Sequence, residues 1–224
     1  MRGIANDTIG GFNSFLAEQK KANVDEARLT LVQFDHEYNV IHNAKPLAEV
    51  PDLTAETYVP RGNTALLDAM GRTIVTTGEA LTAMPEHERP EQVVILVITD
   101  GEENASTEYT KDKIAEMVKV QTDHYKWQFV FLGANLDAIR AGGSVGVNAA
   151  NAMNFQANAA GMGIMYQAVS ANVSSYRKSR SVQDLAFTNA QRQDNDPGVK
   201  GMTPSAVQSA LDANKPDSDS RPKN

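Results

Sequence analysis

Val93-Val94-Ile95-Leu96-Val97-Ile98-Thr99-Asp100-Gly101-Glu102-Glu103-Asn104 is the stretch that decides the fold. Six apolar residues, mostly β-branched, run into Thr99 and then an Asp-Gly pair. A strand that is apolar on both faces is expected to be buried on both, which marks a parallel strand covered by helices. In such sheets ligands gather beyond the carboxyl ends of the strands, where Asp100 would stand. An Asp-Gly pair is also ordinary turn chemistry, so on these residues alone both readings stay open.

Upstream, Ala65 to Met70 begins a helix whose apolar face is Leu66, Leu67, Met70, Ile74 and Val75. It reaches about Leu81 or Met84 and is closed by Pro85 and Pro90. Thr64 falls at its amino end, where a hydroxyl can cap free backbone N–H groups. A proline-punctuated loop over about 43–63 precedes it, and irregular loops of that length are uncommon and often functional. Before the loop, strands Leu29–Phe34 and Tyr38–Ile41 are joined by Asp35-His36-Glu37, which allows only an antiparallel hairpin. His36 reads as a solvated turn residue. Ile9, Phe12, Phe15 and Leu16 predict an opening helix, and Asn23 to Asp25 a turn after it. Gly10 and Gly11 lie inside this helix at about 1 kcal/mol each relative to Ala, a cost that close packing against a sheet would explain.

Downstream, Thr107 or Thr110 starts a helix bearing Ile114, Met117, Val118 and Val120 on one side. Trp127–Gly133 reads as a further strand ending in Ala134-Asn135, and Leu136 to Arg140 as a short helix stopped by Gly142-Gly143. The run Gly142-Gly143-Ser144-Val145-Gly146 lacks the Lys-Ser/Thr of a phosphate loop and is taken as a helix stop. Ala152–Phe155 predicts a short edge strand. A long helix over about 159–176 carries Met162, Met165, Tyr166, Val169 and Val173, with the methionines as core filler. The apolar signal thins beyond Arg180, and four of the nine prolines lie in the last 28 residues. The domain is therefore placed at 1–186, with 187–224 a largely disordered tail and Thr203-Pro204 starting one short helix over 203–213.

At 224 residues the chain can bury one sizeable core. Its formal charge of −7 argues against broad binding to nucleic acid or anionic membrane. There is no cysteine, hence no disulfide framework or thiolate metal site. No apolar run reaches the ~18–20 residues of a membrane span, and no signal-type core follows Met1. These features predict a soluble, cytoplasmic protein. The alternation of strands and helices predicts an α/β three-layer fold. A doubly wound sheet normally has a strand feeding its first helix, and here no residue precedes Met1 to make one.

Gly62-x-Thr64-x-Leu66-x-Asp68-Ala69, followed by the apolar strand into Thr99-Asp100-Gly101-Glu102, resembles the von Willebrand factor type A domain in its bacterial and bacteriophage form. The stretch Asn6 to Asn13 is similar to that family's first helix, and the resemblance covers roughly residues 1–180. It implies an α/β, Rossmann-like three-layer sandwich with a mostly parallel sheet and an antiparallel edge hairpin. It also implies a metal-ion-dependent adhesion site in which Thr64 and Asp100 are metal ligands. The family's first central strand and its Asp-x-Ser-x-Ser loop are missing from this sequence. Three outcomes are open: the hairpin slides over to pair with Val93–Asp100, a partner supplies a strand, or the true start lies upstream of Met1. The last is the expected one.

Mg²⁺ wants six oxygens in near-octahedral geometry. Thr64 and Asp100 offer two, so binding is expected to be weak or absent unless the first loop is restored. Glu102 and Glu103 read as a solvated acidic loop. The leading functional reading is a protein-binding module whose partner's carboxylate completes the metal shell, with no nucleic-acid or membrane partner. A metal-free structural or assembly scaffold is the alternative. A metal-assisted hydrolase using Asp100 with His36 or His42 is disfavoured, because no nucleophile–base pair, histidine cluster or phosphate cradle is present. The chain is therefore expected not to be an enzyme.

Overall fold

Two sheets, not one, form from the predicted strands. The computed structural model describes residues 2–22, 24–134 and 137–195. After a 3-10 turn at Arg2–Ile4, helix α1 spans Ala5–Lys21. Strands β1 (Arg28–Phe34) and β2 (Tyr38–Pro46) form an antiparallel hairpin. Helix α2 (Leu66–Ala83) leads to β3 (Val94–Thr99), α3 (Lys111–Tyr125) and β4 (Gln128–Ala134). Then come α4 (Ala138–Ser144), β5 (Ala152–Phe155), α5 (Ala159–Ser179) and α6 (Asn189–Asn195). Strands β3, β4 and β5 make a parallel three-stranded sheet in that order, separate from the hairpin. No described helix is long and apolar enough to cross a membrane.

The caps explain where the later helices begin and end. Thr110 accepts from the Lys113 amide to start α3, and Lys126 ends it in the left-handed region at φ 60°. Asn158 accepts from the Gly161 amide to start α5, and Arg180 ends it at φ 61°. Two cores result. Leu16, Leu132, Met153, Phe155, Met162 and Met165 fill the one under α1 and α5. Leu67, Met70, Ile74, Ile114, Val118 and Phe131 fill the other, against α2, α3 and α4.

Both sheets border both cores. Leu29 and Leu31 of β1 pack on the first core, as do Val94, Leu96 and Ile98 of β3. Phe34 of β1 packs on the second with Ile95 and Val97 of β3. β2 supplies no member of either core, so β1 is the inner strand of the hairpin. At the carboxyl ends, the Ala65 amide donates to the Asp35 carbonyl at 2.6 Å, just past β1. The neighbouring Thr64 hydroxyl lies against Gly101, just past β3: a Cβ on that glycine would stand 2.8 Å from it. Thr64–Ala65 thus ties the ends of β1 and β3 together. Yet no backbone hydrogen bond joins them among the described residues. The hairpin has not slid over to pair with β3.

Several sequence expectations are corrected. β3 is not buried on both faces: Val94, Ile95, Leu96 and Ile98 are half-buried, and β4 is the strand buried throughout. The difference is positional, because β4 has a neighbour on each side and β3 has one. β2 continues to Pro46 and a 3-10 turn follows at Leu47–Glu49, so the irregular loop is shorter than 43–63. α4 runs through Gly142 and Gly143 to Ser144, and Phe131 lies 3.1 Å from where a Gly142 Cβ would be. Gly11 is explained by a helix, not a sheet: its Cβ would stand 2.1 Å from Cδ2 of Tyr166 on α5, while Gly10 faces open space. Folded structure also continues past 186. Phe187, Arg192 and Asn195 are buried, and α6 packs beside β5. The predicted turn residue Asn23, the strand end at Asn135, the helix start at Leu136, and the helix over 203–213 with the rest of the tail lie outside the described residues.

Candidate functional site

Three segments meet at the carboxyl ends of β1 and β3: the turn after β1, the approach to α2 and the loop after β3. Thr64 and Asp100, the two predicted ligands, come from the last two, and the structure brings these two loops together. The Thr64 amide donates to Asn104 Oδ1 at 2.9 Å, and the Asn104 amide donates back to the Thr64 carbonyl at 3.0 Å. Gly101 supplies the close approach, since any side chain there would collide with the Thr64 hydroxyl. Thr99 fixes the strand end, its hydroxyl donating to the Gly101 carbonyl at 2.9 Å and accepting from the Gly101 amide at 3.2 Å. Thr64 and Asp100 are both half-buried.

Thr64 does not cap α2. The cap position is Ala65, whose side chain makes no cap bond. The orphan amides of the first turn are met instead by the loop after β3. Glu103 accepts from the Leu67 amide at 2.9 Å, and Ser106 Oγ accepts from the Asp68 amide at 3.1 Å. A carboxylate at a helix amino terminus also gains from the helix dipole. Glu103 holds its own loop as well, accepting from the Ala105 amide (2.9 Å), the Ser106 amide (2.7 Å) and the Ser106 hydroxyl (2.7 Å).

Asp68 binds in the opposite direction. Its carboxylate accepts from the amides of Thr107 and Glu108 at 2.9 Å each and of Tyr109 at 3.0 Å. Arg72 forks onto Glu108, and the Tyr109 ring lies over Gly71, where a Cβ would meet it at 2.6 Å. Burial alone would raise the pKa of Asp68 and of Glu103. The hydrogen bonds outweigh it and hold both below the usual range: three amides for Asp68; the Ser106 hydroxyl and the Leu67, Ser106 and Ala105 amides for Glu103. Both are therefore firmly ionised at neutral pH. Asp35, at the end of β1, is likewise held low against the effect of burial, by the Glu37 amide and by Arg61.

The expected solvated acidic loop is thus half wrong. Glu102 is exposed, but Glu103 spends its lone pairs on the protein. The sequence did contain a signal for the missed residues. Asp68 stands in the first turn of a helix, and Glu103, Asn104 and Ser106 follow the strand within hydrogen-bonding reach of such a turn. His36 sits on the hairpin turn, 3.2 Å from Asp35 Oδ1, and His42 lies within β2 opposite Leu31.

Thr64 contributes one hydroxyl and Asp100 one carboxylate, and Glu103 is already saturated by donors. No group of three or more His, Asp or Glu side chains able to hold a metal occurs among the described residues. The chain matches no family model, no curated protein and no solved structure.

Proposed function

We propose that this chain is a protein-binding module, built as a Rossmann-like three-layer sandwich, that engages its partner through the crevice around Thr64 and Asp100. One observation carries the reading. Thr64 and Asp100 stand half-buried on two separate loops, and those loops are fixed to each other by the Thr64–Asn104 hydrogen bonds before any partner arrives. Such preorganisation lowers the ordering cost of binding. An adhesion-type site completed by the partner's carboxylate is the resemblance's version of this. With two oxygen donors in place, Mg²⁺ adds little in this chain, and the binding function is not catalytic.

A metal-free assembly scaffold is the second reading, and the Glu103 and Asp68 hydrogen bonds favour it, since they set the loop shape without an ion. Both readings are tested by placing a photo-crosslinking amino acid at the exposed position 102 in the full chain expressed in its native cells. The crevice reading expects a protein adduct that Asp100→Ala and Thr64→Ala each reduce severalfold. An adduct unchanged by both variants overturns it and leaves the scaffold. Calorimetric titration should show no tight one-to-one Mg²⁺ binding.

A further inference from the structure

We infer that α6 is a releasable strap, which closes over the start of β5 and opens by pivoting at Phe187–Thr188 while both cores stay folded. Three observations carry this. First, the closure rests on a buried cation that meets no counter-charge. Arg192 is 3% exposed, and its guanidinium donates to the carbonyls of Ala149 at 3.2 Å, Ala150 at 2.8 Å and Ala152. It also lies 5.8 Å from the centre of the Phe187 ring. All of these partners are neutral, and the buried Nε has no partner among the described residues. A buried charge without an opposite charge regains only part of the hydration it gives up, so this closure is weak for its depth.

Second, α6 buries no apolar side chain. Its seven residues hold one apolar side chain, Ala190, which is exposed; the buried residues are Arg192 and Asn195. The remaining joints are polar too. Gln191 Nε2 donates to Asn172 Oδ1 at 3.0 Å. The Asn195 side-chain amide, turned to satisfy both partners, donates to the Gly161 carbonyl and accepts from the Met165 amide at 3.0 Å each. Such contacts exchange for water at small net cost, whereas burial of apolar area is what holds most elements in place. A helix this short does not persist once its contacts are gone.

Third, the apolar anchoring stops immediately before the strap. Leu185 and Phe187 are buried in the first core, and the Phe187 amide donates to the Ala150 carbonyl at 2.9 Å. From Thr188 to Asn195 no side chain joins either core, which sets the pivot. Closed, the strap guards β5, the outer of the described strands in its sheet. A covered edge is protected from pairing with other chains. Open, it presents the Ala149 and Ala152 carbonyls and the Arg192 cation to solvent together. This device is separate from the crevice at Thr64 and Asp100 and does not rest on that reading.

Hydrogen exchange of the full chain, resolved by residue in low urea, tests the strap without any substitution. The Arg192 amide, bonded to the Thr188 carbonyl at 3.1 Å, should exchange at least a hundredfold faster than those of Val130 and Leu132 in β4. Its rate should not change with urea below the unfolding transition, because a polar strap exposes little surface on opening. The Phe187 amide should stay with the slow group. Arg192→Met should speed exchange at position 192 at least tenfold further and leave Val130 and Leu132 within threefold of wild type. Exchange of Arg192 in the wild type at the rate and urea dependence of Val130 and Leu132 would overturn the proposal. So would a Phe187 amide that opens together with Arg192, or an Arg192→Met chain whose β4 amides accelerate as much as position 192.

Discussion

Replacing Asp68 should loosen the whole loop after β3, because one carboxylate holds the three successive amides of Thr107, Glu108 and Tyr109. Hydrogen bonds to a charged group are worth about 1.5–3 kcal/mol each, but three amides on one carboxylate do not add. Thr107 and Glu108 are exposed, so their amides can turn to water, whereas Tyr109 is half-buried against Gly71. Asp68→Ala should therefore cost about 2–4 kcal/mol, less up to ~0.7 kcal/mol regained in helix propensity. With a urea slope near ~2 kcal/mol/M, the midpoint should fall by about 0.7–2 M at unchanged slope. Asp68→Asn keeps an acceptor without the charge and should lose roughly half as much. The pH dependence has a definite sign. The Asp68 carboxyl is held below the ordinary aspartate range, so its contribution is complete above about pH 4 and is lost as pH falls through the lower folded value. The gap between wild type and Asp68→Asn should narrow on acidification below about pH 4. A midpoint shift under ~0.3 M for Asp68→Ala at neutral pH would refute the view that this carboxylate organises the loop.

Further predictions follow from the glycines and the cores. Gly10→Ala should stabilise by about 0.5–1 kcal/mol, whereas Gly11→Ala should destabilise by about 1–3 kcal/mol because its Cβ would strike Tyr166; paired thermal melts check the opposite signs. Gly71→Ala should likewise lower the melting temperature through the Tyr109 ring, despite its gain in helix propensity. Phe131→Ala, at a fully buried β4 position, should cost about 3–5 kcal/mol in urea unfolding. Glu103→Gln should cost stability that is present at neutral pH and vanishes in acid, read as convergence of the two acid-unfolding curves below about pH 4.5.

Much of this was legible in the sequence, and the failures have physical causes. β5 forms over Ala152–Phe155 as expected, and α5 buries Met162, Met165, Tyr166, Val169 and Val173 as its spacing requires. The loops that carry Thr64 and Asp100 do meet, through the Thr64–Asn104 hydrogen bonds. What periodicity could not convey is whether a neighbour is present. The six residues of β3 read as an interior strand because composition records what a strand prefers to pack against, and the structure leaves one edge without it. Capping failed differently. Thr64 was a reasonable cap on local grounds, but Glu103 reached the same helix end from 36 residues away. Residues 187–195 were misread as tail because their packing relies on few residues. Phe187 is buried, and Arg192 donates to the carbonyls of Ala149, Ala150 and Ala152 with burial lowering its pKa to about 10. No hydrophobic stripe announces that.

The two-sheet architecture frames the crevice, and hydrogen exchange of the free chain tests it most directly. Resolved by residue along β3, the amides of Ile95, Val97 and Thr99 should exchange slowly through their bonds to β4. Those of Val94, Leu96 and Ile98 should exchange at least tenfold faster. Uniform slow exchange across all six would contradict the account, because it would mean that the free edge of β3 is already paired.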